Sequence, residues 1–172
     1  MTLPFDRAVK QHGATVLRVC RAVLGASIDA EDAWSETFLT ALRTWEETSR
    51  VNNLEAWLVR IAHRKAVDIT RARARHAVPT DEIPDVVSSR TEPGEDLDRH
   101  SLWDAVAALP ERQRLAVAYH YLGGLPHAET AELIGGTPDA VRRAASDGIR
   151  TLRRTWNADG ATELPELENP HV

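Results

Sequence analysis

A chain of 172 residues with 42% hydrophobic content is long enough to bury one medium core or two small ones, which excludes disorder throughout. Its longest apolar run is only a few residues, and the opening MTLPFDRAVK lacks the basic-then-apolar layout of a signal peptide, so a cytosolic protein without membrane insertion is expected. The net charge of -5 looks wrong for a nucleic-acid binder until it is divided: residues 1–76 hold 12 Lys+Arg against 9 Asp+Glu and residues 101–156 hold 7 against 6, whereas residues 77–100 hold 2 against 7 and the tail from 157 holds 0 against 4.

The acidity therefore sits in a linker and a tail, and the two remaining parts are mildly basic. Helical periodicity dominates and no period-2 run stands out, so the expected fold is all-α, with two small helical domains joined by an acidic, flexible linker. Residues 4–24 place Phe5, Val9, Val16, Val19, Cys20, Val23 and Leu24 at mostly helical spacing and stop at Gly25. The lone Cys20 has no disulfide or zinc partner and reads as a small buried hydrophobe. A second helix from about Asp29 repeats Ala33, Trp34, Phe38, Leu42 and Trp45 at threes and fours, with Asp29, Glu31 and Asp32 at the positive end of its dipole. A third follows the cap candidates Asn52 and Asn53, burying Leu54, Trp57, Leu58, Ile61, Ala62, Val67 and Ile69. Its opposite face and tail are basic through Arg60, Arg64, Lys65, Arg71, Arg73 and Arg75. Trp34, Trp45 and Trp57 lie on apolar stripes and are expected to be core anchors, not base-stacking platforms.

From Ala77 the prolines, serines and acids of VPTDEIPDVVSSRTEPGEDLD have the composition of a solvated tether. Beyond it, SLWDAVAALPERQRLAVAYHYLGG predicts two helices joined at Leu109 and Pro110 and ended by Gly123 and Gly124. Residues 127–134 predict a helix burying Ala128, Ala131 and Ile134. Gly135 and Gly136 turn the chain, and Thr137 caps a last helix with Pro138 in its first turn. Ala140, Val141, Ala144, Ala145, Gly148, Ile149 and Leu152 form the inner face of that helix. Such small residues allow the close crossing of a helix-turn-helix.

AEDAWSETFLTALRTW (30–45), NLEAWLVRIAHRKAVDITRARAR (53–75) and LPERQRLAVAYHYLGGLPHAETAELIGGTPDAVRRAASDGIRTLRR (109–154) together resemble the extracytoplasmic-function (ECF) group of sigma-70 family sigma factors. The resemblance covers most of residues 5–156. It implies a sigma-2-like domain at 4–76 for core RNA polymerase and the minus-10 element, a linker at 77–99, a sigma-4-like helix-turn-helix at 100–156 for the minus-35 element, and an acidic tail at 157–172. It puts Asp29, Glu31, Asp32, Glu36 and Phe38 on the polymerase-binding surface. His63, Arg64, Lys65, Asp68, Arg71 and Arg73 fall in the minus-10 segment, where cations would hold a melted strand while a pocket captures a base.

Thr137, Pro138, Asp139, Arg142, Arg143 and Ser146 lie on the exposed face at the start of the recognition helix, with Arg142 and Arg143 as the main minus-35 contacts. The chain departs from the family at Pro126 (usually Ser or Thr), Thr130 (usually aliphatic), Gly136 (usually Val), and Ala144 and Asp147 (often Arg). Implied partners are promoter DNA, core polymerase and an anti-sigma factor. The seven histidines show no metal-ligand spacing, and there is no P-loop, dinucleotide fingerprint or GxSxG, so neither cofactor nor metal nor catalysis is expected. The alternative reading is a helix-turn-helix regulator, or a degenerate sigma-like protein, acting through protein partners without initiating transcription.

Overall fold

The computed structural model describes residues 3–48, 51–76 and 97–158, and all regular structure among them is helical. Of the expected linker at 77–99, residues 77–96 lie outside the described residues and 97–99 belong to a helix; of the expected tail at 157–172, residues 157 and 158 end the last helix and the rest lies outside the described residues.

α1 (Phe5–Leu24) starts after Pro4, whose carbonyl accepts hydrogen bonds from the Arg7 and Ala8 amides, and stops at Gly25 with φ +83. α2 (Ile28–Arg43) and the single turn α3 (Trp45–Thr48) follow. α4 (Leu54–His76) is capped by Asn53, whose Oδ1 accepts the Ala56 amide at 3.0 Å. The three long helices enclose Val16, Cys20, Leu24, Ala30, Ala33, Phe38, Leu58, Ala62 and Ala66. Aromatic side chains fasten this bundle as the periodicity predicts. The Trp34 indole donates to the Gly13 carbonyl at 2.9 Å and the Trp45 indole to that of Leu3 at 3.1 Å, while Phe5 lies edge-on to Trp45 and Phe38. Burial pushes the Cys20 thiol up to about 12, so this cysteine is an inert core residue.

In the C-terminal half, α5 (Leu97–Ala107) and α6 (Glu111–Ala116) meet at Leu109 and Pro110, and α6 continues into a π-helical stretch, Val117–Leu122. Then come α7 (His127–Ile134) and α8 (Pro138–Ala158), the helix-turn-helix pair. The close packing of α8 on α6 and the π-helical stretch depends on Gly148, where a Cβ would lie 2.7 Å from Val117 Cγ2. The turn depends on Gly135 and Gly136, with φ of +80 and +93. A side chain at Gly136 would be strained and would also strike the Arg112 guanidinium, which donates to the Gly135 carbonyl at 3.0 Å. The departure from Val is thus required by this turn.

Thr130 is a departure with a measurable cost. It is fully buried and its hydroxyl has no hydrogen-bond partner. Thr130→Val should therefore raise stability by about 1 kcal/mol, because an unsatisfied polar group is exchanged for an apolar one of the same shape. Thermal unfolding that is unchanged or lowered would show that the hydroxyl is satisfied.

Two expectations need correction. Leu42 is 51% exposed and leaves the α2 stripe, because the chain turns into α3 before a neighbour can cover it. Ala128 is exposed, and α7 buries Thr130 and Ala131 instead. The two expected helical domains are present, and they pack against each other. α1 carries a second apolar stripe that packs on the C-terminal half, with Ala22 among Val106, Leu109, Val117, Ala118 and Leu152, and Val19 joining Ala56, Val59, Tyr119 and Leu125.

Candidate nucleic-acid interface

On α8, Thr137 Oγ1 caps the helix by accepting the Ala140 amide at 3.2 Å, which leaves Pro138, Asp139, Arg142, Arg143 and Ser146 exposed around the first turns. Arg142 is paired with Asp139 at 3.1 Å, and Arg150 with Asp147 at 2.8 Å. Both pairs are exposed and i,i+3, so each holds its guanidinium by less than about 1 kcal/mol and can yield to phosphate or a base edge. Arg143 has no ion-pair partner among the described residues. Asp147 therefore acts as a counter-ion to Arg150, and Ala144 is half-buried against Val141 and Ala145, facing away from the solvent-facing arginines.

The minus-10 candidates on α4 do not share one surface. Arg64, Asp68 and Arg71 recur at four and three residues and face solvent. Lys65 and Arg73 lean towards α2, where Lys65 meets Glu36 at 3.6 Å and Arg73 pairs with Asp29. His63 turns to the C-terminal half, with Nδ1 2.7 Å from the Tyr119 hydroxyl and the rings edge-to-face. A cleft of roughly 460 Å³ beside it is lined by Val67, Arg71, Arg73, Glu111, Arg114 and Tyr119, among others.

Of the polymerase-surface candidates, Glu31, Asp32 and Glu36 are exposed, while Asp29 is engaged by Arg73. Phe38 is a correction: it is 5% exposed and packs against Phe5 and Trp34, so it supports the surface from beneath without belonging to it. Sequence reasoning missed Ile28 and Leu39, which with Leu42 form exposed apolar positions along α2 among the acids. Their spacing of 11 and 3 matched a core stripe equally well. Only the packing shows that nothing among the described residues covers them.

Two imidazoles here are held neutral. Burial, then the charge of Arg64, lowers the pKa of His63 from 6.5, and burial, then His120 and Arg142, lowers that of His127. Facing His63 are also the Tyr119 hydroxyl and the cleft residues Arg71, Arg73, Arg114 and Glu111. His127 stacks on His120, which in turn bonds the Leu125 carbonyl through Nδ1. A base with a depressed folded-state pKa binds its proton more readily when unfolded. Stability is therefore full above about 6.5 and falls as pH drops from there through the lowered values. Thermal melting between about pH 7.5 and 5.5 should show this decline, and His63→Gln should flatten it.

Among the described residues no group of three or more His, Cys, Asp or Glu side chains could hold a metal, and no helix is long and apolar enough to cross a membrane.

A three-helix bundle followed by a helix-turn-helix with an arginine-bearing second helix defines a two-region, DNA-facing transcription protein. Sigma-70 region 2 matches residues 8–76 and sigma-70 region 4 matches residues 99–152. The chain belongs to the ECF group of sigma-70 family sigma factors, whose members are in general not enzymes. It is 35% identical over 156 residues to the ECF RNA polymerase sigma factor BldN of Streptomyces coelicolor, spanning 87% of this chain and 59% of that protein's length. It is 34% identical over 153 residues to the ECF RNA polymerase sigma factor ShbA of Streptomyces griseus subsp. griseus, spanning 80% of this chain and 79% of that one. In three dimensions it resembles the sigma factor RpoE of Bartonella quintana, solved with the anti-sigma factor NepR, at a TM-score of 0.72 and 20% identity over 90% of this chain and 98% of that chain. That last likeness is one of fold.

Proposed function

We infer that this chain binds core RNA polymerase and directs promoter-specific transcription initiation, acting in the cytoplasm and without catalysis of its own. The observation that carries this reading is the presence of both sigma regions, in order, on one chain. A helix-turn-helix regulator has no use for the first bundle. In this reading the exposed face of α2, with Glu31, Asp32 and Glu36 among Ile28, Leu39 and Leu42, meets the polymerase. Its apolar residues supply affinity, and its charges set register and association rate. Arg64 and Arg71, aided by Lys65 and Arg73, hold the melted minus-10 strand by its phosphates, while His63 and Asp68 sit where a captured base would be read. Thr137, Pro138, Asp139, Arg142, Arg143 and Ser146 dock the start of α8 at the minus-35 element. The RpoE chain of similar fold is bound by an anti-sigma factor, and a partner of that kind is proposed for this chain as well.

A second reading, a sigma-like regulator working through protein partners, draws on the pairing of Arg142 and Arg150 with neighbouring carboxylates, which weakens the cationic character of the recognition helix. Pull-down of bacterial core polymerase, followed by transcription in vitro across a genomic promoter library at stated salt, separates the two. Polymerase binding with start sites preceded by two spaced elements supports the sigma reading. Absence of polymerase binding overturns it.

A further inference from the structure

The cleft of roughly 460 Å³ beside His63 is built by α1, α4 and α6 together. Its volume falls within the range of small-molecule sites, about 300–1,000 Å³. Val23 from the end of α1, Val67 from α4 and Leu115 from α6 give it an apolar lining, and all three are only half-buried, so packing leaves part of each open to the cleft. Cations overlook that lining from both sides, Arg71 and Arg73 from α4 and Arg114 from α6. Against these three arginines the lining holds one carboxylate, Glu111. The charge balance selects an anion, and the apolar lining selects one with a hydrocarbon body.

The three arginines differ in what they have free. Arg73 is paired with Asp29 of α2. Arg71 is exposed and has no ion-pair partner among the described residues. Arg114 has no carboxylate partner among them either. Its Nη1 donates to the Ala107 carbonyl at a long 3.4 Å, and its Nε is shut from solvent without an acceptor. Buried donors are as a rule satisfied, so this one is an exception. One edge of the guanidinium has thus lost its water before any ligand arrives, and an oxyanion at the remaining N–H groups meets a weakly screened charge. Glu111 forms no ion pair among the described residues and neutralises neither arginine. His63, on the α4 side, is held neutral and uses Nδ1 on the Tyr119 hydroxyl, so the positive charge of the cleft comes from the guanidinium groups.

We propose that this cleft is a binding site for a small organic anion, an aromatic or aliphatic body carrying one carboxylate or phosphate, with the body against Val23, Val67 and Leu115 and the anionic group between Arg71 and Arg114. The inference goes beyond the sigma reading and does not depend on it.

The test is calorimetric titration of the full chain with 2-naphthoate and with 1-naphthyl phosphate, which share a body and differ in the anionic group. 2-Naphthol and inorganic phosphate carry the body and the charge separately. One molecule of either anionic probe should bind per chain, with 2-naphthol and inorganic phosphate each at least about tenfold weaker, because neither makes both sets of contacts. The tighter of the two anionic probes identifies the group the site prefers. Arg71→Gln and Arg114→Gln should each weaken that probe by about five- to tenfold, and Arg114→Lys, which keeps the charge without the planar fork, should fall between wild type and Arg114→Gln. Arg153→Gln, on the exposed face of α8, should bind as wild type does. Because Arg71 is exposed, its variant keeps the fold and the test stands even where Arg114→Gln melts early.

No saturable binding of either anionic probe overturns the site. So does 2-naphthol that binds as tightly as the anions, which would reduce the cleft to an apolar surface, or inorganic phosphate that binds as tightly as 1-naphthyl phosphate, which would reduce it to surface cations. Affinity unchanged in Arg71→Gln and Arg114→Gln would put the probe elsewhere on the molecule and overturn the assignment as well.

Discussion

Replacing Arg142 and Arg143 together by alanine is expected to cut transcription from a promoter with an upstream minus-35 element by roughly 10- to 100-fold. A well-placed arginine on a guanine edge is worth about 1–3 kcal/mol, and each 1.4 kcal/mol is tenfold. The two residues should not contribute equally. Arg143 is exposed with no ion-pair partner among the described residues, so its whole interaction is available to DNA. Arg142 must first leave Asp139, 3.1 Å away, and recovers correspondingly less. Arg143→Ala should therefore cost more than Arg142→Ala. Binding to core polymerase should be unchanged in both, since α2 lies on the other half of the chain. Equal transcription by wild type and double variant at every salt concentration would remove α8 from promoter recognition and favour the regulator reading.

The largest effect on stability is expected from Trp34→Ala. The indole donates to the Gly13 carbonyl at 2.9 Å, its ring lies 4.9 Å from that of Phe38, and a Cβ at Gly13 would sit in contact with the ring, 3.6 Å from Trp34 Cζ2. Truncation opens a cavity between α1 and α2 and removes the indole hydrogen bond that ties the two helices. The cost should be about 3 kcal/mol or more, a fall in melting temperature on the order of 10 °C. A tryptophan used to stack bases would behave in the opposite way, with melting unchanged and strand binding lost. Thermal denaturation beside oligonucleotide binding decides between the two roles.

Much of the helical frame was readable because its signals are local. Asn53 and Thr137 cap the helices they precede, Gly25 ends α1, and Leu109 with Pro110 divides α5 from α6. Each depends on the backbone of neighbouring residues alone. The single turn of α3 was missed, since four residues carry too little periodicity to register. Leu42 and Phe38 show where pattern runs out. Both fit one apolar stripe, yet Phe38 is buried beneath the surface assigned to it and Leu42 is bare on that surface. Periodicity says which residues share a face. It does not say what, if anything, lies opposite.

Gly136, Thr130 and Asp147 make the same distinction from the other side. In the sequence they stand only as departures from the family. In the fold, Gly136 meets a positive φ and the Arg112 guanidinium, Thr130 is a buried flaw in packing, and Asp147 is the counter-ion of Arg150.

The sequence by itself determined the helices, their caps and breaks, the acidic segments, and the family, because propensity, capping and the ordered motifs are written within short spans of chain. Only the tertiary structure decided that the two halves share apolar clusters, that His63 faces Tyr119 while Arg64 faces solvent, and that Ile28 and Leu39 stand uncovered. Those outcomes depend on contacts between residues far apart in the chain, where burial and charge pairing are settled by which helix faces which.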